Sequence, residues 1–393
     1  MIEPLKLNRR DFLRIAAVSG GALLTGFDNV ESPELPRGKQ GEHFAGGKQL
    51  GTVDFAQEGF LPMDTALGTE LDGRLYTDLS RLTAQDLVTP TENFYVRTRA
   101  SKLLPDMRSW QISVDGLVER RVSLTIEILK KLAKPVGLHL MECAGNTRMA
   151  RFGMIGVANW SGVPISEILD KAKVKPQARR VRIAGYDHYA LASVSSVPGA
   201  SWVFSTEELT TAGAFVATEM NSQPLTRDHG APIRLVVPGW YGCACIKWVN
   251  NIDLVDETAE ATSQMQEYAA RTLQDGIPQL AKDYRPASID YAALPIRIEK
   301  WEVDGKLKYR VVGILWGGSQ SVKVLQIRFN PNQEYVRVEG FVQTSDSWNL
   351  WTHPWSPRAP GHYAIQLAVT EPRVEARKLD SGYYVRSVEI TEV

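Results

Sequence analysis

The sequence is 393 residues long, with 45 Lys+Arg against 45 Asp+Glu and 44% hydrophobic residues. That composition excludes a disordered chain, and a formal net charge of zero removes the broad basic footprint of a nucleic-acid binder. Its 3 cysteines are too few for a disulfide scaffold, and with no C-x-x-C pair they predict neither structural zinc nor covalently attached haem.

The chain opens with Asn8-Arg9-Arg10-Asp11-Phe12-Leu13-Arg14, followed by an uncharged, mildly apolar stretch from Ile15 to Phe27. An arginine pair before a short apolar segment reads as a twin-arginine export signal over residues 1–30. The apolar part falls short of the ~20 residues that span a bilayer. The competing reading is an amphipathic first helix with a basic cap. Twin-arginine export carries proteins already folded, so the signal predicts a periplasmic protein with a non-covalent redox cofactor.

Residues 31–84 are dotted with Gly and Pro and show little periodicity, as in an extended arm. From Leu87 the pattern becomes regular. Asn93–Arg99 and Trp110–Leu117 alternate like strands. Thr125–Leu132 and Pro164–Ala172 have helical spacing, the latter with a proline suited to a first turn. Arg179–Ala184 and Ala190–Val194 read as strands, and Ala231–Val237 as a buried strand closed by Pro238-Gly239. Thr258–Leu273 is a helix candidate. This mixture predicts an α+β domain over 85–279. A linker at 280–295 leads to residues 296–393, where IRIEKWEV, YRVVGILW, VKVLQIRF, YVRVEGFV, YAIQLAV and YYVRSVEI alternate with turn signals. Consecutive strands with no helix between them predict an all-β sandwich.

The most informative segment is His139-Leu140-Met141-Glu142-Cys143-Ala144-Gly145-Asn146-Thr147-Arg148. An apolar run ends at Glu-Cys, and a turn of small residues and a basic residue follow. A cysteine at a strand end beside such a turn can lie on a pocket floor, where nearby N–H groups and an arginine favour thiolate. Thiolate suits redox metals. A nucleophilic cysteine would need a histidine base that no spacing singles out, and a buried structural cysteine is the commonest case of all.

Glu142-Cys143-Ala144-Gly145-Asn146-x-Arg148 resembles the molybdenum-ligand motif of the sulfite oxidase family of molybdopterin enzymes. Thr89-Pro90-x-x-x-Phe94-Tyr95-Val96-Arg97 resembles the family's first block. Trp160-Ser161-Gly162-Val163-Pro164, Gly185-Tyr186-Asp187-His188 and Ser195-Ser196-Val197-Pro198 are similar to later ones. The long run from Glu219 through Arg227-Asp228-His229-Gly230-Ala231-Pro232-x-Arg234 to Ile246-Lys247-Trp248 is the most specific. The blocks stand in the family's order across residues 85–270. The terminal β-region resembles, more loosely, the family's immunoglobulin-like dimerisation domain.

The resemblance implies one molybdenum–molybdopterin per chain, with Cys143 as the thiolate ligand of the metal. His229, Arg234 and Lys247 fall at cofactor-binding positions, and Asp187 is similar to another. Arg and Lys suit a phosphate, and a carboxylate suits pterin N–H groups. Arg97 and Arg148 match arginines of a cationic pocket for a small anionic sulfur substrate. Tyr268, in Gln264-x-x-x-Tyr268, matches a tyrosine beside the metal; its alternative is an aromatic on a packed helix face. Two departures stand out. Arg97-Thr98-Arg99 replaces the family's usual Arg-x-His, and no late arginine can be matched in the β-region, where Arg373, Arg377 and Arg386 are available.

The resemblance further implies oxidation of sulfite, or a related sulfur compound, to sulfate by oxygen-atom transfer. With no haem signature in the chain, the two electrons pass singly to a separate acceptor such as a cytochrome c. A homodimer is implied by resemblance alone. Two other readings compete: an S-oxide reductase of the methionine sulfoxide type, and a non-catalytic immunoglobulin-like binding protein with a degenerate cofactor site.

Overall fold

The computed structural model describes residues 42–59, 64–66, 72–98, 104–186, 200–341, 343, 347–371 and 373–393. The twin-arginine segment, Arg99, Asp187 and the strand expected at 190–194 lie outside them.

The described helices are short, and most start at a polar cap. The Thr125 hydroxyl accepts from the Ile128 N–H at 3.4 Å and opens Ile126–Leu132. Ser205 and Glu208 exchange bonds in a capping box that opens Thr206–Thr211. Ile165–Ala172 begins directly after Pro164, which stands one place outside the helix rather than in its first turn. The long helix expected at 258–273 is also corrected. Thr262 caps Met265 at 3.2 Å and confines the α-helix to Ser263–Tyr268. A 3₁₀ turn, Ala270–Thr272, follows and ends at Leu273, whose φ of 59° is left-handed. The strand expected at 93–99 starts only at Val96 and is described to Thr98, because Thr91–Asn93 forms a 3₁₀ turn.

Two larger sheets and a small one, Asp64–Ala66, Asp72–Leu75, Val96–Thr98, build the first part of the described chain. One has the order Ser201–Ser205, Arg180–Gly185, Val249–Val255, Gln111–Gly116, Val122–Thr125. Its central pair, Val249–Val255 with Gln111–Gly116, is parallel. The other runs Gln223–Pro224, Phe215–Met220, Ile155–Pro164, Lys134–Glu142, with Arg234–Val236 also paired to Phe215–Met220. Ile155–Pro164 is buried along most of its length, so the ends of its neighbours are fixed by core packing.

Two further sheets make up the C-terminal part. The first has the order Lys48–Val53, Ala292–Val303, Lys306–Trp316, Trp348–Trp355. The second has the order Val336–Arg337, Leu325–Arg328, Gly361–Val369, Arg386–Ile390, Phe55–Ala56. Segments from 48–56 thus add an edge strand to each. The sheets meet across stacked rings of Phe329 and Trp355, 4.4 Å apart, with Tyr363 edge-on to Trp355. Trp348–Trp355 was not expected from the sequence, because it is buried on both faces and shows no alternation. Conversely, YVRVEGFV yields only the short, exposed Val336–Arg337.

Candidate active site

The strand Lys134–Glu142 ends where Asn146 folds the chain back. The Asn146 N–H donates to the Cys143 carbonyl at 2.9 Å, and its side-chain oxygen accepts from the Met154 N–H at 3.0 Å. Cys143, 4% exposed, is the first residue past the strand and lines a cleft. The same cleft is lined by Arg97, His229, Arg234, Lys247 and Tyr268. Six of the eight residues singled out in the sequence therefore converge on one cavity. Asp187 is outside the described residues. Arg148 is not brought to the lining: the 3₁₀ turn Arg148–Ala150 directs its guanidinium to the Val385 carbonyl, where Nη2 donates at 2.7 Å.

One wall is cationic. Arg234 is 5% exposed and donates to the carbonyls of His229 at 3.1 Å and Cys245 at 3.0 Å. Its Nε is buried with no partner among the described residues. The Lys247 ammonium donates to the carbonyls of Asp228, at 3.0 Å, and Thr98, and lies 4.5 Å from the Trp248 ring. Gly230, at φ 108°, lets these two side chains meet, since a β-carbon there would stand 2.9 Å from that of Arg234 and 3.2 Å from that of Lys247.

His229 joins this wall to the first block. Its Nε2 is 3.1 Å from the Phe94 carbonyl, which can only accept, so Nε2 carries the proton. The Nδ1 faces the Thr226 hydroxyl at 2.8 Å. Burial lowers its pKa to about 4, against the bond to Phe94 and with help from Arg234 and Lys247, so the ring is neutral at pH 7.

Across the cleft, Tyr268 ends its short helix with a buried ring. Burial and the nearby Cys143 sulfur raise its pKa while Arg97 opposes them, and the phenol stays a donor at neutral pH. Among the lining residues that the sequence reading did not single out are Tyr95, Cys243, Gln264 and Glu267. The Gln264 amide donates to the Cys243 carbonyl at 2.5 Å. Cys243 and Cys245 are free thiols, and burial raises both pKa values, in Cys243 with a further push from Cys143. Gly242 leaves room for Tyr95, since a β-carbon there would stand 2.7 Å from the Tyr95 hydroxyl.

The floor is held from the far end of the chain. Glu142 is fully buried and accepts from Trp316 Nε1 at 2.8 Å, Tyr384 Oη at 3.1 Å and Asn146 Nδ2 at 3.3 Å. Burial raises its pKa against the pull of Lys378. The Tyr383 hydroxyl donates to the Asn146 carbonyl, and the Lys378 ammonium reaches the Ala144 carbonyl at 3.5 Å.

A strand-rich core thus sets the Cys143 thiol, at a strand end, in one cleft with a buried cationic wall, so that a soft metal ligand and anion-binding donors stand together. A family profile for the oxidoreductase molybdopterin binding domain matches residues 100–263. The mitochondrial sulfite oxidase of Drosophila melanogaster is 30% identical over 333 residues, 78% of this chain and 56% of the relative. The sulfite oxidase of Gallus gallus is 27% identical over 340 residues, 78% of this chain and 70% of the relative. The NADPH nitrate reductase of Fusarium oxysporum is 27% identical over 275 residues, 62% of this chain and 28% of the relative. The sulfane dehydrogenase SoxCD from Paracoccus pantotrophus shares the fold, with a TM-score of 0.63 at 18% identity over 95% of this chain and 96% of that one. The matched domain and these relatives support the sulfite oxidase family of molybdopterin-dependent oxidoreductases for this chain. It spans about half the length, or less, of the first curated relatives it matches.

The residues present fit the family's cofactor. The thiol of Cys143 is the soft ligand a redox metal takes. The unpartnered Nε of Arg234 and the ammonium of Lys247 offer N–H donors for a phosphate on the opposite wall.

Proposed function

We propose that the chain binds one molybdenum–molybdopterin in this cleft and oxidises sulfite, or a related small sulfur compound, by oxygen-atom transfer. The observation that carries this reading is the convergence of Cys143, Arg97, His229, Arg234, Lys247 and Tyr268 on one cavity. The reaction balances as sulfite and water giving sulfate, two protons and two electrons. When bound, the cofactor supplies the two-electron couple.

The chain's own groups have distinct tasks. Cys143 fixes the metal at the floor. Arg234 and Lys247 hold the phosphate, and the neutral His229 ring braces the first block against that wall through Phe94. Arg97 attracts the anionic substrate, and the Tyr268 phenol, kept protonated by burial, donates a hydrogen bond to a reacting oxygen. Electrons leave one at a time to a separate protein, for which a periplasmic cytochrome c is the proposed acceptor. The arginine pair at positions 9 and 10 supports export in the folded state. The paired C-terminal sheets are read as an immunoglobulin-like module that forms a homodimer.

Metal and pterin analysis of the purified protein tests this, combined with sulfite-dependent reduction of ferricyanide. The expected result is about one molybdenum per chain with sulfite turnover. Molybdenum with methionine sulfoxide reduction but no sulfite turnover would reverse the direction of the chemistry. No molybdenum, from a host that makes the cofactor, would overturn the reading.

A further inference from the structure

Resting on this reading of the site, we infer that Arg271 is the rim cation that selects a small oxyanion, and that the bare Cα of Gly145 keeps the space for it open. Arg271 lies in the 3₁₀ turn Ala270–Thr272, just past the helix that carries Tyr268, and its side chain is exposed. Its guanidinium carbon is 5.2 Å from the centre of the Tyr268 ring. Its Nη1 is 3.6 Å from the point where a β-carbon on Gly145 would stand, and the Cys143 sulfur is 3.9 Å from that same point. Guanidinium and sulfur therefore flank one small gap, which exists because residue 145 has no side chain.

Three of the other cations beside the cleft have main-chain engagements, while Arg97 stands in the lining itself. Arg234 and Lys247 donate to carbonyls of the wall, and Arg148 donates to Val385. Arg271 has no carboxylate partner among the described residues; Asp275, four positions on, pairs with Arg285 at 2.5 Å instead. Glu267 brings negative charge to the same cleft, so an approaching dianion needs a cation on the thiol side. A guanidinium presents paired N–H groups that match two oxygens of a sulfite or sulfate. Stacking on Tyr268 fixes its plane. Among the described residues no arginine from the C-terminal strands lines the cleft, and Arg271 supplies that charge from a different part of the chain.

The test uses molybdenum-loaded wild type, Arg271→Ala, Arg271→Lys and Gly145→Ala. Sodium sulfate binding is measured by calorimetry, and sulfite KM and kcat by ferricyanide reduction. Arg271→Ala is expected to weaken sulfate binding and raise the sulfite KM about tenfold or more, with kcat nearly unchanged and a flatter dependence on ionic strength. Arg271→Lys recovers part of both. Gly145→Ala meets its neighbours only at ordinary contact distances of 3.6–4.0 Å, so it folds normally and reproduces the loss of sulfate binding by filling the gap. Unchanged sulfate affinity and KM in Arg271→Ala would overturn the inference. Loss of molybdenum from that variant would overturn it too, by making the arginine part of the cofactor's support. Wild type that binds sulfate through Arg271 yet leaves sulfite unoxidised would keep the rim and remove the proposed function.

Discussion

On the wall of the cleft, His229, Arg234 and Lys247 are held mainly by backbone carbonyls: those of Phe94, Thr98, Asp228, His229 and Cys245. On the floor, the Cys143 loop is held by side chains that arrive from far along the sequence: Trp316, Lys378, Tyr383 and Tyr384. A carbonyl is present whatever the side chain of its residue, so the wall makes few demands on the identity of its supports. The floor depends on particular donors: Trp316 and Tyr384 meet one buried carboxyl, and Lys378 and Tyr383 reach the loop's carbonyls. The polar end of the proposed cofactor would thus rest on backbone, and its proposed thiolate ligand on packing between the two halves of the described chain.

Substitutions separate the two. Cys143→Ser touches neither support, so it should abolish sulfite-dependent ferricyanide reduction while thermal unfolding stays close to wild type, because alkoxide is a poor match for the metal's redox range. Turnover at the wild-type rate would remove Cys143 from the metal. Glu142→Ala takes away the floor's acceptor. It leaves the Trp316 N–H and Tyr384 O–H buried without partners and Lys378 without its countercharge. Urea unfolding should show a loss of about 3–5 kcal/mol. A loss below about 1 kcal/mol would mean that the carboxyl does not organise the floor.

The same division explains what was legible in the sequence. His229, Arg234 and Lys247 fall in one run, and their supports are local or in the first block, so ordered motifs sufficed to bring them together. Cys143 was legible as a residue at a strand end. The floor was not. Tyr383 and Tyr384 read as the start of a strand that in fact begins at Arg386, because alternation says nothing of a partner 237 or 242 residues away. Arg148 read as a pocket arginine because it closes the cysteine motif, yet its turn aims it at Val385. Arg271 was hidden inside an expected long helix, which the cap at Thr262 and the left-handed Leu273 cut short. Glu142 looked like a motif letter, and only the fold shows it as the hub of the floor.

The wall has its own weak point, which is pH. Burial depresses the His229 pKa to about 4, so the unfolded chain takes up a proton first as pH falls. The stabilisation is complete above the unfolded value near 6.5 and is lost as pH falls through the window down to 4. About 2 kcal/mol should be gone by pH 5. His353, likewise lowered to about 4 by burial, adds a slope of the same sign, so the contrast is with His229→Gln. Urea unfolding at pH 7 and pH 5 should show a smaller drop in that variant. Equal drops would place the wall's pH sensitivity elsewhere.

The finest comparison sets two buried tryptophans against each other. The Trp316 N–H donates to a carboxyl on the floor at 2.8 Å, and the Trp248 N–H donates to the Arg227 carbonyl behind the wall at 2.9 Å. Replacing either with Phe keeps an aromatic ring and deletes one donor. Hydrogen bonds to charged groups contribute about 1.5–3 kcal/mol and neutral ones about 1 kcal/mol. The Trp316 ring also sits edge-on to Tyr384 at 5.3 Å, a contact that Phe can retain in part. Trp248 lies under the Lys247 ammonium, and Phe is a weaker cation–π partner there. That adds a few tenths of a kcal/mol to the cost of Trp248→Phe and narrows the gap without closing it. Trp316→Phe should therefore lower stability by about 1 kcal/mol more than Trp248→Phe, read as the difference in urea midpoints at equal slopes. An equal or reversed order would mean that the floor and the wall are supported alike.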